Sequence, residues 1–412
     1  MADVRPRTMT ALYQTASRVW LTAAGLSLLL PASRRIGIWL PLHLALAGAI
    51  STAISGAMQT FMLALTATPA PPGWLVLTQL VLVTAGAGLI AIGMPTSTPW
   101  LTATGGAAFV AAMAILAWML WRAWSKALNR RHASPMAGYA AAVAFVLVGG
   151  TLGALMGARG VGGDLYLHLR HAHVSLNLLG WGSITVVATM LTLLPTALRV
   201  RMPQRRGKVV LVLLTAGLLL QLVGWDAALT PVLAAGGIAY AAGALGLVAL
   251  VVSVLRVERR WSVPLAALHM IAGVGWFVAG SVGLAWALLD GPSGFDAYRP
   301  LLLTAFVGGW LVQVLLGAWS YLLPMGRAGH PLERRRSLAA FEVAAPVQVL
   351  LLNSGLVLIA GRGGGWLAPG LGELGVVLAF TGAGLALVKA WAFPLLARGP
   401  VETERARAVW GG

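Results

Sequence analysis

The chain has 412 residues, of which 59% are hydrophobic and only 10% charged, against roughly 25% charged in an ordinary soluble domain. A spanning helix needs roughly 20 apolar residues, so this length holds about a dozen spans joined by short loops and leaves no room for a fused soluble catalytic domain. The net charge of +18 sits in the loops between apolar runs. There it sets topology and meets anionic headgroups rather than nucleic acid.

Apolar windows long enough to span lie at about 11–30, 37–65, 74–94, 100–121, 136–156, 167–194, 209–225, 229–254, 263–289, 300–323, 341–359 and 371–396. The first is the least apolar, because Gln14 and Arg18 interrupt it. Its Leu21–Leu30 core after Arg5 and Arg7 has the outline of a signal peptide, and a retained helix is the preferred reading. The expected protein is therefore all-α and polytopic, a single integral membrane domain over residues 1–412.

Loop charge tests the count independently. Basic clusters follow helices 4, 6, 8, 10 and 12, and with Arg5 and Arg7 they place 21 of the 29 basic residues on one face. The opposite loops hold Arg34, Arg35, Arg159, Arg299 and Arg362. By the positive-inside rule both termini are cytoplasmic, in a multi-pass plasma-membrane protein.

Helices 6 and 10 carry an internal repeat. Each contains Gly-Trp, then twelve residues, then Leu-Pro, from Gly180 to Pro195 and from Gly309 to Pro324. The offset is 129 residues, or four helices. A similar step back from His173 reaches His43 in helix 2. Twelve helices with a four-helix period predict three arcs around a pseudo-threefold axis, in units of about 1–135, 136–260 and 261–412. The plainer alternative is that Pro ends helices and Trp marks interfaces.

The histidines carry the functional signal. His43, His168, His171 and His173 fall in the outer halves of helices 2 and 6, His132 and His330 fall in cytoplasmic loops, and His269 lies in helix 9. At 1.5 Å per residue, His43 is roughly 12 Å along from Arg35 and His173 roughly 13 Å along from Asp164, which puts the two at matching depth. Imidazoles at one level on neighbouring helices suit the two axial positions of a haem iron. His171 and His173 point to nearly opposite faces, whereas His168 and His171, three residues apart, share one. That pair is placed for an auxiliary copper or zinc ion. Asn177, one turn after His173, can hold a ligand ring or a propionate, or bond between helices. Polar groups inside a span are costly and tend to be functional.

The remaining chemistry is sparse. The absence of cysteine removes disulfides, thiolate zinc sites, iron–sulfur clusters and covalent haem attachment. None of the 11 acidic residues lies deep in a span, so a proton relay finds no carboxylate there. No phosphate-binding glycine loop or H-E-x-x-H signature occurs, and the glycines scatter at helix-packing spacings.

A histidine on helix 2, an H-x-H on helix 6 and twelve helices in three arcs resemble the haem-copper oxidase subunit I superfamily, and more closely its non-oxidase relatives. The segment HLRHAHVSLNLLGWGSITVVATMLTLLPTALRVRM, with HLALAGAISTAISG before it, resembles the membrane portion ahead of copper-oxidase or nitrite-reductase-like domains in some actinobacterial proteins. The NnrS family is similar in pattern. The resemblance implies haem or copper binding, electron transfer or nitrogen-oxide handling, and a periplasmic cupredoxin or multicopper oxidase partner. The chain departs from oxidase subunit I, which has its H-x-H on helix 10 and copper ligands on helices 6 and 7. Helices 7 and 10 here have no histidine, so a complete oxygen-reducing centre is not expected. The rival readings are a transporter with a His-lined path and a scaffold that anchors a periplasmic partner.

Overall fold

The computed structural model describes residues 6–128, 130–200, 204–227, 229–257, 263–327 and 331–396. They form twelve long helices: α1 (Pro6–Ser27), α2 (Trp39–Thr66), α3 (Gly73–Gly93), α4 (Pro99–Ser125), α5 (Ala133–Gly157), α6 (Gly163–Leu198), α7 (Gln204–Asp226), α8 (Thr230–Val257), α9 (Leu265–Ala287), α10 (residues 291–327), α11 (Ala345–Gly363) and α12 (Pro369–Leu396). No strand occurs among the described residues. All but α1 lie in stretches long and apolar enough to cross a bilayer, α9 and α10 being joined through one 3₁₀ turn. The chain is a multi-pass membrane protein.

The helix α1 reaches a span's length by a different route. Its polar residues are buried against the bundle: Ser17 donates to the Ala49 carbonyl at 2.8 Å, and Arg18 donates to carbonyls of Gln14 and Ala390. Backbone carbonyls take up a charge that lipid would reject.

Three helices form the centre. The helices α2, α6 and α10 touch one another, and each widens into a π-helical segment at the same stage: Leu44–Ile50, Ser175–Ile184 and Thr304–Val312. Ser51 and Ser183 donate to the carbonyls of Leu46 and Leu178, five residues back, at 2.8 and 2.9 Å. That reach matches the wider turn. The Trp181 indole N–H donates to Ser51 Oγ at 3.0 Å and fixes α6 against α2.

Paired helices surround this centre, and the same contact recurs in each pair. A Cβ on Gly86 would stand 2.8 Å from the Gly105 carbonyl oxygen, one on Gly217 2.7 Å from that of Gly236, and one on Gly355 2.5 Å from that of Gly375. The pairs α3/α4, α7/α8 and α11/α12 thus pack backbone to backbone through equivalent glycines, the small-residue mode of membrane helices. With one central helix beside each pair, this makes three similar sets of three helices.

Three boundaries differ from the sequence expectation. Pro195 and Pro324 lie inside α6 and α10 rather than ending them, so the Leu-Pro repeat marks equivalent places in two central helices. The window expected at 341–359 begins instead at Ala345, after a separate short helix, Pro331–Glu342, and a left-handed Ala344 (φ 54°). That short helix carries an Arg-rich polar sequence that no bilayer core accommodates. Elsewhere Leu128 N–H donates to the Thr66 carbonyl, which puts the uncharged loop after α2 on the same face as the basic loop after α4. Loop charge leads to the expectation that both chain ends belong to that basic face. A phosphatase reporter fused within the α11–α12 loop at Gly364 should be active outside, and one fused after Leu396 inactive. The reverse pattern would invert the topology.

Candidate functional site

The two parallel central helices α2 and α6 are in register. Ser51 and Trp181 each lie eight residues beyond His43 and His173, so the hydrogen bond between them sets the two histidines at one level. Their rings face each other with centroids 6.5 Å apart and planes 11° apart. Each histidine sits just before a π-helical segment, where the helix changes pitch; such segments are frequent at functional sites.

The separation can be set against the length of a metal bridge. Two metal–nitrogen bonds of about 2.0–2.1 Å put the nitrogens about 4 Å apart and, with each centroid roughly 1.1 Å further out, the ring centres about 6.3 Å apart. In length alone the observed 6.5 Å is close to that value, and it exceeds a van der Waals stack, such as the 3.8 Å between Trp39 and His43.

Hydrogen bonding fixes the tautomers. His43 Nδ1–H donates to the Trp39 carbonyl at 2.9 Å, and His173 Nδ1–H donates to the Gly149 carbonyl at 2.8 Å. A carbonyl only accepts, so in both rings Nδ1 carries the proton and Nε2 keeps its lone pair. This is the arrangement of metal-ligating histidine, oriented and made more basic by a backbone acceptor. Asn177 Nδ2 donates to the His173 carbonyl at 2.8 Å and lies 3.2 Å from Nδ1, wedged beside the ring. Glycines of α5 make the space: a Cβ on Gly153 would stand 2.6 Å from His173 Cε1, and one on Gly149 2.6 Å from Asn177 Nδ2.

His168 and His171 are placed differently. His168 is exposed, while His171 is buried, stacked on Trp225 at 4.4 Å with Phe295 edge-on at 5.4 Å. Its Nε2 is 3.5 Å from Asp296, which also pairs with Arg170 at 2.8 Å and so ties α6 to α10. Among the described residues no group of three or more His, Asp or Glu side chains converges, so the auxiliary pair gains no third protein ligand there. The Arg170 and Asp296 side chains are 29% and 43% exposed, and pairs so wetted contribute about 1 kcal/mol or less. Asp296→Asn should therefore lower stability by no more than about 1 kcal/mol, read as a small shift of the thermal midpoint in detergent; a large loss would show that His171 depends on this carboxylate.

Of the other histidines, His269 is buried in α9 and accepts from the Gln348 amide at 2.8 Å. His132 caps the start of α5 in a basic-face loop, where partial burial and the neighbouring Arg131 lower its pKa. His330 lies outside the described residues. The third central helix has Leu302 and Leu303 where α2 and α6 carry histidine, so only two of the three units present a ring to this level. Sequence reasoning missed the two carbonyl acceptors, Trp39 and Gly149, and the glycine cradle on α5.

No protein-family model matches the chain, and no curated protein matches it.

Proposed function

We propose that the chain is a haem-binding electron-transfer protein of the cytoplasmic membrane, with His43 and His173 as the two axial ligands of one non-covalently held haem. The observation that carries this reading is the facing pair: two nearly parallel imidazoles, 6.5 Å between centres, both with Nδ1 bonded to a backbone carbonyl and Nε2 available. A porphyrin supplies four equatorial ligands of its own, so two protein ligands complete the iron. A zinc or copper(II) site would call for three or four protein ligands.

When bound, the haem supplies a one-electron carrier. The protein's own contribution is to hold both rings. The α2–α6 register fixes their level, the Trp39 and Gly149 carbonyls fix their tautomer and rotation, and Asn177 with Gly149 and Gly153 fixes the position of His173. Held by two protein ligands, a haem here would suit electron passage rather than substrate binding. With both termini in the cytoplasm, the orientation that loop charge favours, the pair would lie in the outer half of the membrane, within reach of a periplasmic cupredoxin or multicopper oxidase partner. A role in nitrogen-oxide handling would follow from that partner's chemistry.

A second reading is favoured by the same two nitrogens: linear, two-coordinate copper(I), which also needs no third ligand. Absorption spectroscopy of protein purified from haem-replete cells separates the two. An intense Soret band with sharp α and β bands on reduction supports haem. A colourless protein carrying one copper per chain replaces it, and a colourless metal-free protein returns the site to a transporter or scaffold role.

A further inference from the structure

Away from the histidine pair, a cavity of about 940 Å³ opens between α1, α2, α6 and α10, in their halves nearer the basic face, with Phe393 of α12 at one wall. Its mouth lies by Thr8, Gly73 and Gly326, and its walls carry Ile54, Leu193, Leu315 and Trp319. Polar side chains that border it are turned to protein partners. Tyr13 donates to the Val76 carbonyl at 2.9 Å and accepts from Gln59 at 3.0 Å, Thr10 and Thr60 bond to each other at 3.2 Å, and Arg18 donates to Thr15 and to the carbonyls of Gln14 and Ala390. Bonded in this way, they leave a lumen walled mainly by hydrocarbon. Such a lumen favours an apolar occupant over water.

Depth and charge narrow the occupant. From Thr8 at the mouth to Arg18 at the deep end, α1 rises about 15 Å, which is half of the roughly 30 Å hydrocarbon core of a bilayer. An acyl chain in the cavity therefore stands at the depth it has in the leaflet on the basic face, and its headgroup stays at the level of the other headgroups. Thr8 follows Arg7 and Gly326 precedes Arg327, so two helices bring a cation to the mouth, and basic residues at a membrane surface attract anionic lipid. We propose that this cavity binds one anionic phospholipid, with an acyl chain along the apolar walls and the phosphate at the mouth beside Arg7 and Arg327. The site goes beyond the haem reading and stands on different residues.

The test uses the full chain in detergent, with dioleoyl-phosphatidylglycerol and dioleoyl-phosphatidylcholine as probes and bound lipid counted by native mass spectrometry. Wild type should keep one phosphatidylglycerol per chain through detergent exchange, against an excess of phosphatidylcholine. Ala318→Phe and Ala53→Phe fill the cavity from α10 and from α2, and each should lose the bound lipid with the thermal midpoint unchanged or raised. Arg7→Gln and Arg327→Gln, which leave the packed core untouched, should each weaken phosphatidylglycerol binding about fivefold, and His43→Ala should leave it intact. No retained lipid, equal retention of the two lipids, or retention in both phenylalanine variants would overturn the proposal. Displacement by glycerol phosphate would also overturn it, since the head without its chains would then account for binding.

Discussion

Replacing either His43 or His173 with alanine should abolish the Soret absorbance of the purified protein, whereas His132→Ala and His269→Ala should leave it at the wild-type level. The expectation is all-or-none because the two rings face each other across one gap of 6.5 Å between centres, and loss of either removes half of the axial set. A residual five-coordinate haem would have a single protein bond and a vacant face, and its absorbance would move toward a high-spin spectrum while its retention through purification falls. His43→Met offers a graded control, since a thioether still ligates haem iron and shifts its potential upward. Survival of the wild-type spectrum in either alanine variant would remove the pair from the site.

The second large effect concerns packing. Gly217→Leu should destabilise the protein by about 3 kcal/mol or more, the upper end for overpacking, and Gly86→Leu and Gly355→Leu should behave alike. At each of these positions the added Cβ meets backbone atoms within 2.3–2.8 Å, and a backbone, unlike a side-chain tip, cannot rotate away. Relief requires the two helices to separate along their length. Gly384→Ala is the counter-case, since nothing lies within 4 Å of its added Cβ. It should be neutral or slightly stabilising, because alanine is the better helix former. Thermal midpoints in one detergent check the set, and a tolerated Gly217→Leu would show that the three pairs are not equivalent.

The repeat was visible in the sequence only in part. Gly-Trp and Leu-Pro in α6 and α10 are large or rigid residues, and they stand out. The glycine pairs at 86/105, 217/236 and 355/375 were equally present, but in a chain with 51 glycines spacing alone does not say which of them face a partner. The π-helical segments had no signal at all. They lie where the three central helices converge, which is a tertiary feature.

The candidate site divides in the same way. Hydropathy and loop charge located His43 and His173 at one depth, because depth is a one-dimensional property. Which atoms hold the rings depends on neighbours: Gly149 is 24 residues from His173 in the chain, and its carbonyl reaches the ring only because α5 lies against α6 through glycine. The sequence also grouped His168 with His171 by spacing, yet a helix end exposes the first and turns the second toward Trp225. Three residues of separation fix a shared face, and the depth of that face's partner decides what each residue meets.

Electron paramagnetic resonance of the oxidised, haem-loaded protein tests the central claim most directly. Near-parallel imidazole planes, 11° apart, should give a rhombic low-spin ferric spectrum with three well-separated g values, and one haem per chain. A high-spin axial signal, a spectrum of the strongly anisotropic type given by perpendicular rings, or the absence of any haem signal would contradict the account.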